Sequence, residues 1–223
     1  MASGKMEEAV MRPVTLIRNE EISPRVHLIS WRREDDFLPG QVVKLALGEG
    51  ETPRIYSLCS GNREEEMAVL FNVREEGSLT PRMAALRPGD RLYVSAPYGT
   101  FLGDETPAWW IASGTGIAPF YSMFRSGLGS RHLLVHGVRY INQFYFGEEL
   151  QREMGSRYVR CCSREGDGEV FQGRLTAWLQ QQASFPSGTR YYLCGNPLMV
   201  VEARDILIAG GVPWGDIVAE IYF

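Results

Sequence analysis

The sequence predicts an antiparallel Greek-key β-barrel followed by an α/β unit with a doubly wound parallel sheet. Three observations carry this. Before Thr106, short alternating apolar segments recur between turn residues, the rhythm of an antiparallel barrel. After Thr106, apolar strands alternate with helical stretches, the rhythm of βαβ units. Between Trp109 and Phe120, an apolar run enters Ser113-Gly114-Thr115-Gly116 and then a helix-like pattern. Such a turn lets backbone N–H groups approach a phosphate where the helix dipole favours negative charge. It lacks the third glycine and the later acidic residue of the dinucleotide fingerprint.

The barrel strands are expected at Val14–Arg18, Val26–Trp31, Val42–Leu47, Arg54–Ser60, Met67–Val73 and Arg91–Ser95. Ser23-Pro24, Pro39-Gly40, Gly48–Pro53, Gly61-Asn62 and Pro88-Gly89-Asp90 punctuate them. One short helix interrupts the series, with Thr80 as its cap and Pro81 at its first position. The second half gives strands at Trp109–Ala112, His132–Gly137, Tyr158–Cys162, Arg190–Cys194 and Ile217–Ile221. Helices are expected near 117–127, 146–154, 174–182 and 198–209. The change of rhythm places a boundary near Gly103–Pro107.

The 223 residues, 44% hydrophobic and 22% charged, describe an ordinary folded chain. A net charge of −4 argues against a broad nucleic-acid footprint. Cys59, Cys161, Cys162 and Cys194 form neither a C-x-x-C pair nor an iron–sulfur ligand spacing. They read as reduced thiols, with Cys161 and Cys162 on opposite faces of a strand. Met1–Glu8 has no apolar core of a signal peptide, and no apolar run is long enough to span a bilayer. A cytoplasmic chain is therefore expected. His27, His132 and His136 read as structural.

Five motifs stand in order: Arg54-Ile55-Tyr56-Ser57, Gly77-Ser78-Leu79-Thr80, Gly114-Thr115-Gly116-Ile117-Ala118-Pro119, Cys194-Gly195-Asn196-Pro197 with Met199, and Glu220-Ile221-Tyr222-Phe223. Their order and spacing resemble the ferredoxin–NADP⁺ reductase family, especially its small bacterial ferredoxin or flavodoxin reductases, from about Pro39 to Phe223. The resemblance implies an FAD-binding barrel over residues 8–104 and an NADP(H)-binding α/β domain over 105–223.

On the flavin side, an arginine fork such as Arg54 can pair a pyrophosphate bidentately, and the Tyr56 ring can lie against a flavin. A solvated arginine on an edge strand would read the same in isolation. The resemblance assigns the flavin to this motif, with Ser57 beside flavin N5, and places the backbone of Phe71-Asn72-Val73 along the cofactor. Gly77, Ser78, Leu79 and Thr80 offer free N–H groups at a helix start, either as a plain cap or to the FAD pyrophosphate. Having both phosphate sites favours FAD over FMN.

On the nicotinamide side, Ser163, Arg164 and Arg174 suit a ribose 2′-phosphate better than a free hydroxyl, although Glu165 could neutralise Arg164. NADP is thereby favoured over NAD. The resemblance adds Arg139 on the nucleotide's phosphates. Gly114, Thr115 and Gly116 are expected on the pyrophosphate, with Thr115 also reaching the flavin. Cys194, Gly195 and Asn196 close a strand at the nicotinamide end. By the same resemblance Tyr222 stacks on the isoalloxazine and yields to the nicotinamide. Phe223 lies near the adenine half of a bent FAD, and Glu220 assists proton or carrier coupling.

Ser57, Cys194, Glu220 and Tyr222 are thus the expected reactive set. The implied activity moves a hydride between NADP(H) and flavin, and single electrons between flavin and ferredoxin or flavodoxin. A monomer without nucleic-acid or membrane partners is expected. Arg12, Arg18, Arg25, Arg32, Arg33 and Arg63 could supply a basic face for an acidic carrier if the fold gathers them. Two other readings stay open: a free-flavin or oxygenase-linked NAD(P)H reductase, and a non-catalytic FAD-binding electron-transfer subunit.

Overall fold

The computed structural model describes residues 10–166 and 168–222. Phe223, and residues 8 and 9 of the expected first domain, lie outside them.

Six antiparallel strands build the first sheet: β1 (Met11–Ser23), β2 (Val26–Arg32), β3 (Val42–Ala46), β4 (Arg54–Ser57), β5 (Glu66–Asn72) and β6 (Arg91–Ser95). Their order is β4-β3-β6-β1-β2-β5. The crossovers from β2 to β5 and from β3 to β6 make it a Greek key. A bridge between Leu58 and Val69 and the Cys59 N–H bond to Ala68 O (2.8 Å) join the two edges, which closes the barrel. That closure is why β4 stops at Ser57 rather than Ser60: the chain leaves its pairing with β3 to meet β5. Strand β1 runs longer than the expected Val14–Arg18, because it forms a hairpin with β2 down to the Ser23–Val26 pair. Leu16, Ile29, Trp31, Val43, Leu45, Leu58, Met67, Val69 and Leu92 fill the interior, each 1% exposed or less. Burying side chains of this size contributes about 1.5–3 kcal/mol apiece.

The short helix is α1 (Thr80–Ala84). Thr80 is not its cap. Leu79 holds the cap position in helical geometry with no side-chain bond, and the Thr80 hydroxyl instead accepts from the Arg74 N–H at 2.9 Å. The threonine is used to tie the 74–80 loop shut.

The second sheet is parallel throughout. Its elements are β7 (Ala108–Ser113), α2 (Ala118–Arg125), β8 (Leu133–Val138), α3 (Gly147–Met154), β9 (Tyr158–Cys162), β10 (Phe171–Gln172), α4 (Leu175–Gln180), β11 (Arg190–Gly195), α5 (Pro197–Ala209) and β12 (Ile217–Ile221). The order is β10-β9-β8-β7-β11-β12. Alternation along each strand builds two cores. Ile111, Val135, Cys161, Tyr191 and Leu193 pack with Leu175, Leu179, Val200 and Leu207 of α4 and α5. Trp110, Leu134, Tyr158, Tyr192 and Cys194 face the other way, onto α2, α3 and the barrel residues Val26, Leu70 and Phe101. Cys161 therefore lies in one core, while the Cys162 thiol turns to Arg139 O at 3.2 Å.

The shared core makes the barrel and the sheet one packed body. Polar ties reinforce the seam. Ser122 Oγ donates to Ser60 O (2.7 Å), and Arg125 pairs with Glu64 (2.8 Å). The Tyr192 hydroxyl donates to Leu102 O (3.0 Å).

Candidate functional site

The parallel order reverses between β7 and β11: the chain leaves β7 towards β8 on one side and returns to β11 on the other. Crevices at such reversals, beyond the strands' carboxyl ends, are where ligands bind in open α/β sheets. Two loops form this one. Gly114 turns the chain with φ +54°, and a Cβ there would meet open space. Gly116 is the opposite case: a Cβ would come within 2.4 Å of Cys194 O. Gly195 has φ +128°, and its Cβ would strike Ser113 Oγ at 2.4 Å. The Asn196 N–H donates to Ser113 Oγ (2.9 Å). The Asn196 side chain in turn caps α5 by accepting from Leu198 and Met199 N–H. Small residues thus clamp the two loops together and leave one open cradle at Gly114.

His136 supports that cradle from below. Its ring is fully buried, with Nε2 3.1 Å from Gly114 O and Nδ1 3.1 Å from the Tyr158 hydroxyl. A carbonyl only accepts, so Nε2 carries the hydrogen and Nδ1 accepts from Tyr158. Burial lowers the pKa to about 4, so the imidazole is neutral. His27 stacks on Phe71, and His132 lies on Trp110.

Beside the crevice, strand pairing sets Glu220 opposite Cys194. The Tyr222 N–H bond to Gly195 O (3.0 Å) carries the register to the end of the described chain. The Tyr222 hydroxyl donates to Ser57 Oγ at 2.7 Å, and Ser57 Oγ donates to Glu220 Oε2 at 3.2 Å. The Cys194 sulfur lies 4.0 Å from that oxygen. All four residues of the expected reactive set therefore meet, although Ser57 comes from the barrel and the rest from the sheet. Burial raises the Glu220 carboxyl, against a lowering bond from Ser57. Burial and then the Glu220 charge raise the Cys194 thiol. A protonated sulfur of that kind is no nucleophile. Tyr98, which the motifs did not single out, has a buried hydroxyl without a partner among the described residues and feels the Glu220 charge.

On the barrel wall, Arg54 and Ile55 are exposed, and the half-buried Tyr56 ring sits edge-on to Phe71 at 6.2 Å. The Phe71 side chain is in the barrel core, so at that position the strand offers only its backbone outward. Asn72 is exposed, Val73 half-buried, and the Gly77–Thr80 turn follows. Arg54 and Arg74 both act on the Tyr56 hydroxyl through their charge. Neither forms an ion pair among the described residues. Two unspent cations beside an exposed aliphatic and a half-buried tyrosine fit a ligand with a phosphate and an aromatic ring. The orphaned Tyr98 hydroxyl fits a polar ring edge. FAD has both features.

Past β9, the short strand β10 brings the backbone before Arg174 alongside the end of β9, where Ser163 and Arg164 follow. Phe171 pairs with Cys161 and Gln172 with Cys162, and the Gly173 N–H then donates to Cys162 O (2.8 Å). Two residues are too few to show alternation, so the sequence carries no strand signal at Phe171–Gln172. Arg139 joins the group through the Arg164 N–H bond to its carbonyl (3.0 Å). Arg139, Arg164 and Arg174 are exposed and lack ion pairs among the described residues. Glu165 does not neutralise Arg164: its carboxylate accepts from the Ile141 N–H at 2.7 Å.

Residues 110–205 match the family model described as an oxidoreductase NAD-binding domain. A ferredoxin–NADP reductase of Azotobacter vinelandii is 30% identical over 79% of this chain and 80% of its own length. A flavodoxin/ferredoxin–NADP reductase of Escherichia coli K12 is 31% identical over 75% of this chain and 77% of its own length. Among solved structures, a ferredoxin–NADP⁺ reductase of Neisseria gonorrhoeae with bound FAD and NADP superposes with a TM-score of 0.87. It is 21% identical and covers 97% of this chain and all of its own, a likeness of fold.

Proposed function

The chain belongs to the ferredoxin/flavodoxin–NADP reductase family, and from that premise we propose that it is an FAD-dependent oxidoreductase exchanging a hydride with NADP(H) and single electrons with ferredoxin or flavodoxin. The observation that carries this reading is the meeting of Ser57, Cys194, Glu220 and Tyr222 at the mouth of the Gly114 cradle. Bound FAD supplies the chemistry there, because a flavin accepts a two-electron hydride and gives electrons singly. We assign FAD binding to 8–104 and NADP(H) binding to 105–223, with a monomer as the working unit.

Arg54 and the Gly77–Thr80 turn hold the FAD pyrophosphate, joined by Arg74. Ile55, Tyr56 and the backbone of Phe71–Val73 line the cofactor, with Thr115 at the seam. The 114–116 turn holds the pyrophosphate of NADPH. Arg139, Ser163, Arg164 and Arg174 select its 2′-phosphate through charge-assisted bonds. Gly195 and Asn196 shape the nicotinamide end, where alignment of the reacting carbon sets the rate. Ser57 and Glu220 keep a hydrogen-bonded proton at the flavin edge, Cys194 excludes water there, and the Tyr222 ring occupies the place the nicotinamide must take. Glu220 sits where it can couple that proton to carrier reduction.

The test is ferredoxin- or flavodoxin-dependent cytochrome c reduction by the FAD-loaded protein with NADPH. Turnover that needs the carrier supports the proposal. Flavin reduction by NADPH without carrier-dependent turnover points to the free-flavin reductase reading. Yellow protein that ignores NADPH points to the electron-transfer subunit.

A further inference from the structure

The hydrogen bond from His136 to Gly114 has a geometric consequence one peptide further on. In a trans peptide the C=O and N–H point in opposite directions. His136 Nε2–H draws the Gly114 carbonyl down to the fully buried ring. The Thr115 N–H of the same peptide must then point up, away from the core. That is the open side of the turn, where a Cβ on Gly114 would touch nothing. Gly114 opens a short 3-10 turn, Gly114–Ile117, at φ +54°, and a residue without a Cβ permits either orientation of this peptide. A half-turn would present the carbonyl oxygen to the crevice, where it would repel an anion.

The histidine is itself held in one tautomer. The Tyr158 hydroxyl donates to Nδ1 at 3.1 Å, and Phe144 and Tyr145 pack against the ring. We propose that His136 is a positioning residue for dinucleotide binding: the relay Tyr158–His136–Gly114 fixes the peptide that aims the Thr115 N–H at the pyrophosphate of NADP(H). The proposal rests on the reading that the 114–116 turn holds this pyrophosphate. It assigns a task to a fully buried side chain that stands 22 residues from the turn.

The experiment compares dissociation constants for NADP⁺ and for adenosine 2′-monophosphate, which carries the 2′-phosphate but neither phosphate of the pyrophosphate, on FAD-loaded protein. The variants are His136→Phe, His136→Gln, Tyr158→Phe and Gly114→Ala. Losing a charge-directed N–H donor weakens binding by about tenfold or more. His136→Phe should weaken NADP⁺ by about that factor and leave adenosine 2′-monophosphate within about twofold. His136→Gln keeps an amide donor and should recover part of the loss. Tyr158→Phe frees the tautomer and should give a smaller loss of the same kind, which carries the test should His136→Phe not fold. Equal weakening of both ligands marks a merely structural residue and overturns the proposal, as does no weakening of either. If Gly114→Ala selectively weakens NADP⁺ while the His136 and Tyr158 variants do not, the turn reading stands and the relay falls. If the unaltered protein binds both ligands equally and Gly114→Ala changes neither, the turn reading itself fails.

Discussion

Tyr222 and His136 show how single residues set the behaviour of the crevice. The Tyr222 ring packs against the core between the barrel and the sheet, and its hydroxyl is spent on Ser57. On the proposed function the nicotinamide takes the same place by displacing it, which forfeits about 1.5–3 kcal/mol of aromatic burial. Tyr222→Ser should therefore tighten NADP⁺ binding on the order of tenfold and slow turnover, because product leaves late. Titration of the flavin spectrum with NADP⁺ checks the first effect, and steady-state kcat the second. Unchanged affinity would remove Tyr222 from the gate.

His136 makes a different prediction. Its folded pKa of about 4 lies below the ordinary 6.5, so the unfolded chain binds the proton first as pH falls. The stability tied to the neutral ring is complete above about pH 6.5 and is lost as pH drops from 6.5 towards 4. The loss is on the order of 3 kcal/mol. Urea unfolding across that window should be distinctly steeper in pH for the unaltered protein than for His136→Phe; equal slopes would contradict a buried neutral imidazole. Single-residue roles were the least legible level of the sequence. His136 reads as a core histidine because nothing local ties it to Gly114. The approach of Ser57 to Glu220 spans 163 positions, and only the family likeness anticipates it.

Elements were legible where pattern is long and obscure where it is short. Arg91–Ser95, Tyr158–Cys162 and Ile217–Ile221 fall where alternation places them. Strand β10 is invisible because two residues show no period, and β4 is cut short by a tertiary event, barrel closure. The loops at the crevice depend on glycine for two distinct reasons. Gly116 is required by space, since a Cβ would press on Cys194 O at 2.4 Å and on the Gly195 Cα at 2.7 Å. Gly114 is required by conformation alone. Gly116→Ala should cost about 1–3 kcal/mol through overpacking, and Gly114→Ala only about 1 kcal/mol from its left-handed backbone. Denaturant midpoints for the two variants check this ranking; an equal or reversed order would mean that the β7 and β11 loops are not clamped together.

At the scale of the molecule, the barrel and the sheet share a core and several hydrogen bonds. On the proposed function, a nucleotide enters by moving Tyr222 rather than by parting the domains. Charge is arranged with the same economy. Of the arginines expected to form a basic face, Arg12, Arg18, Arg25 and Arg33 are each tied to an acidic neighbour. Arg32 and Arg63 are left unpaired among the described residues, so those six do not make the patch the sequence suggested. Among the described cations without an ion pair, Arg54 and Arg74 stand on the barrel and Arg139, Arg164 and Arg174 on the sheet. Replacing Arg164 and Arg174 together by Ala should lower kcat/KM for NADPH by about tenfold or more per lost charge-assisted contact and leave NADH nearly untouched. A parallel fall with both nucleotides would move the 2′-phosphate elsewhere.

The central claim is that one crevice brings a bound flavin and NADPH together. Stopped-flow mixing of the FAD-loaded protein with NADPH and with NADH tests it most directly. The account predicts that the flavin absorbance bleaches with both and far faster with NADPH. A protein that takes up no FAD, or whose bound FAD keeps its colour in NADPH, would contradict it.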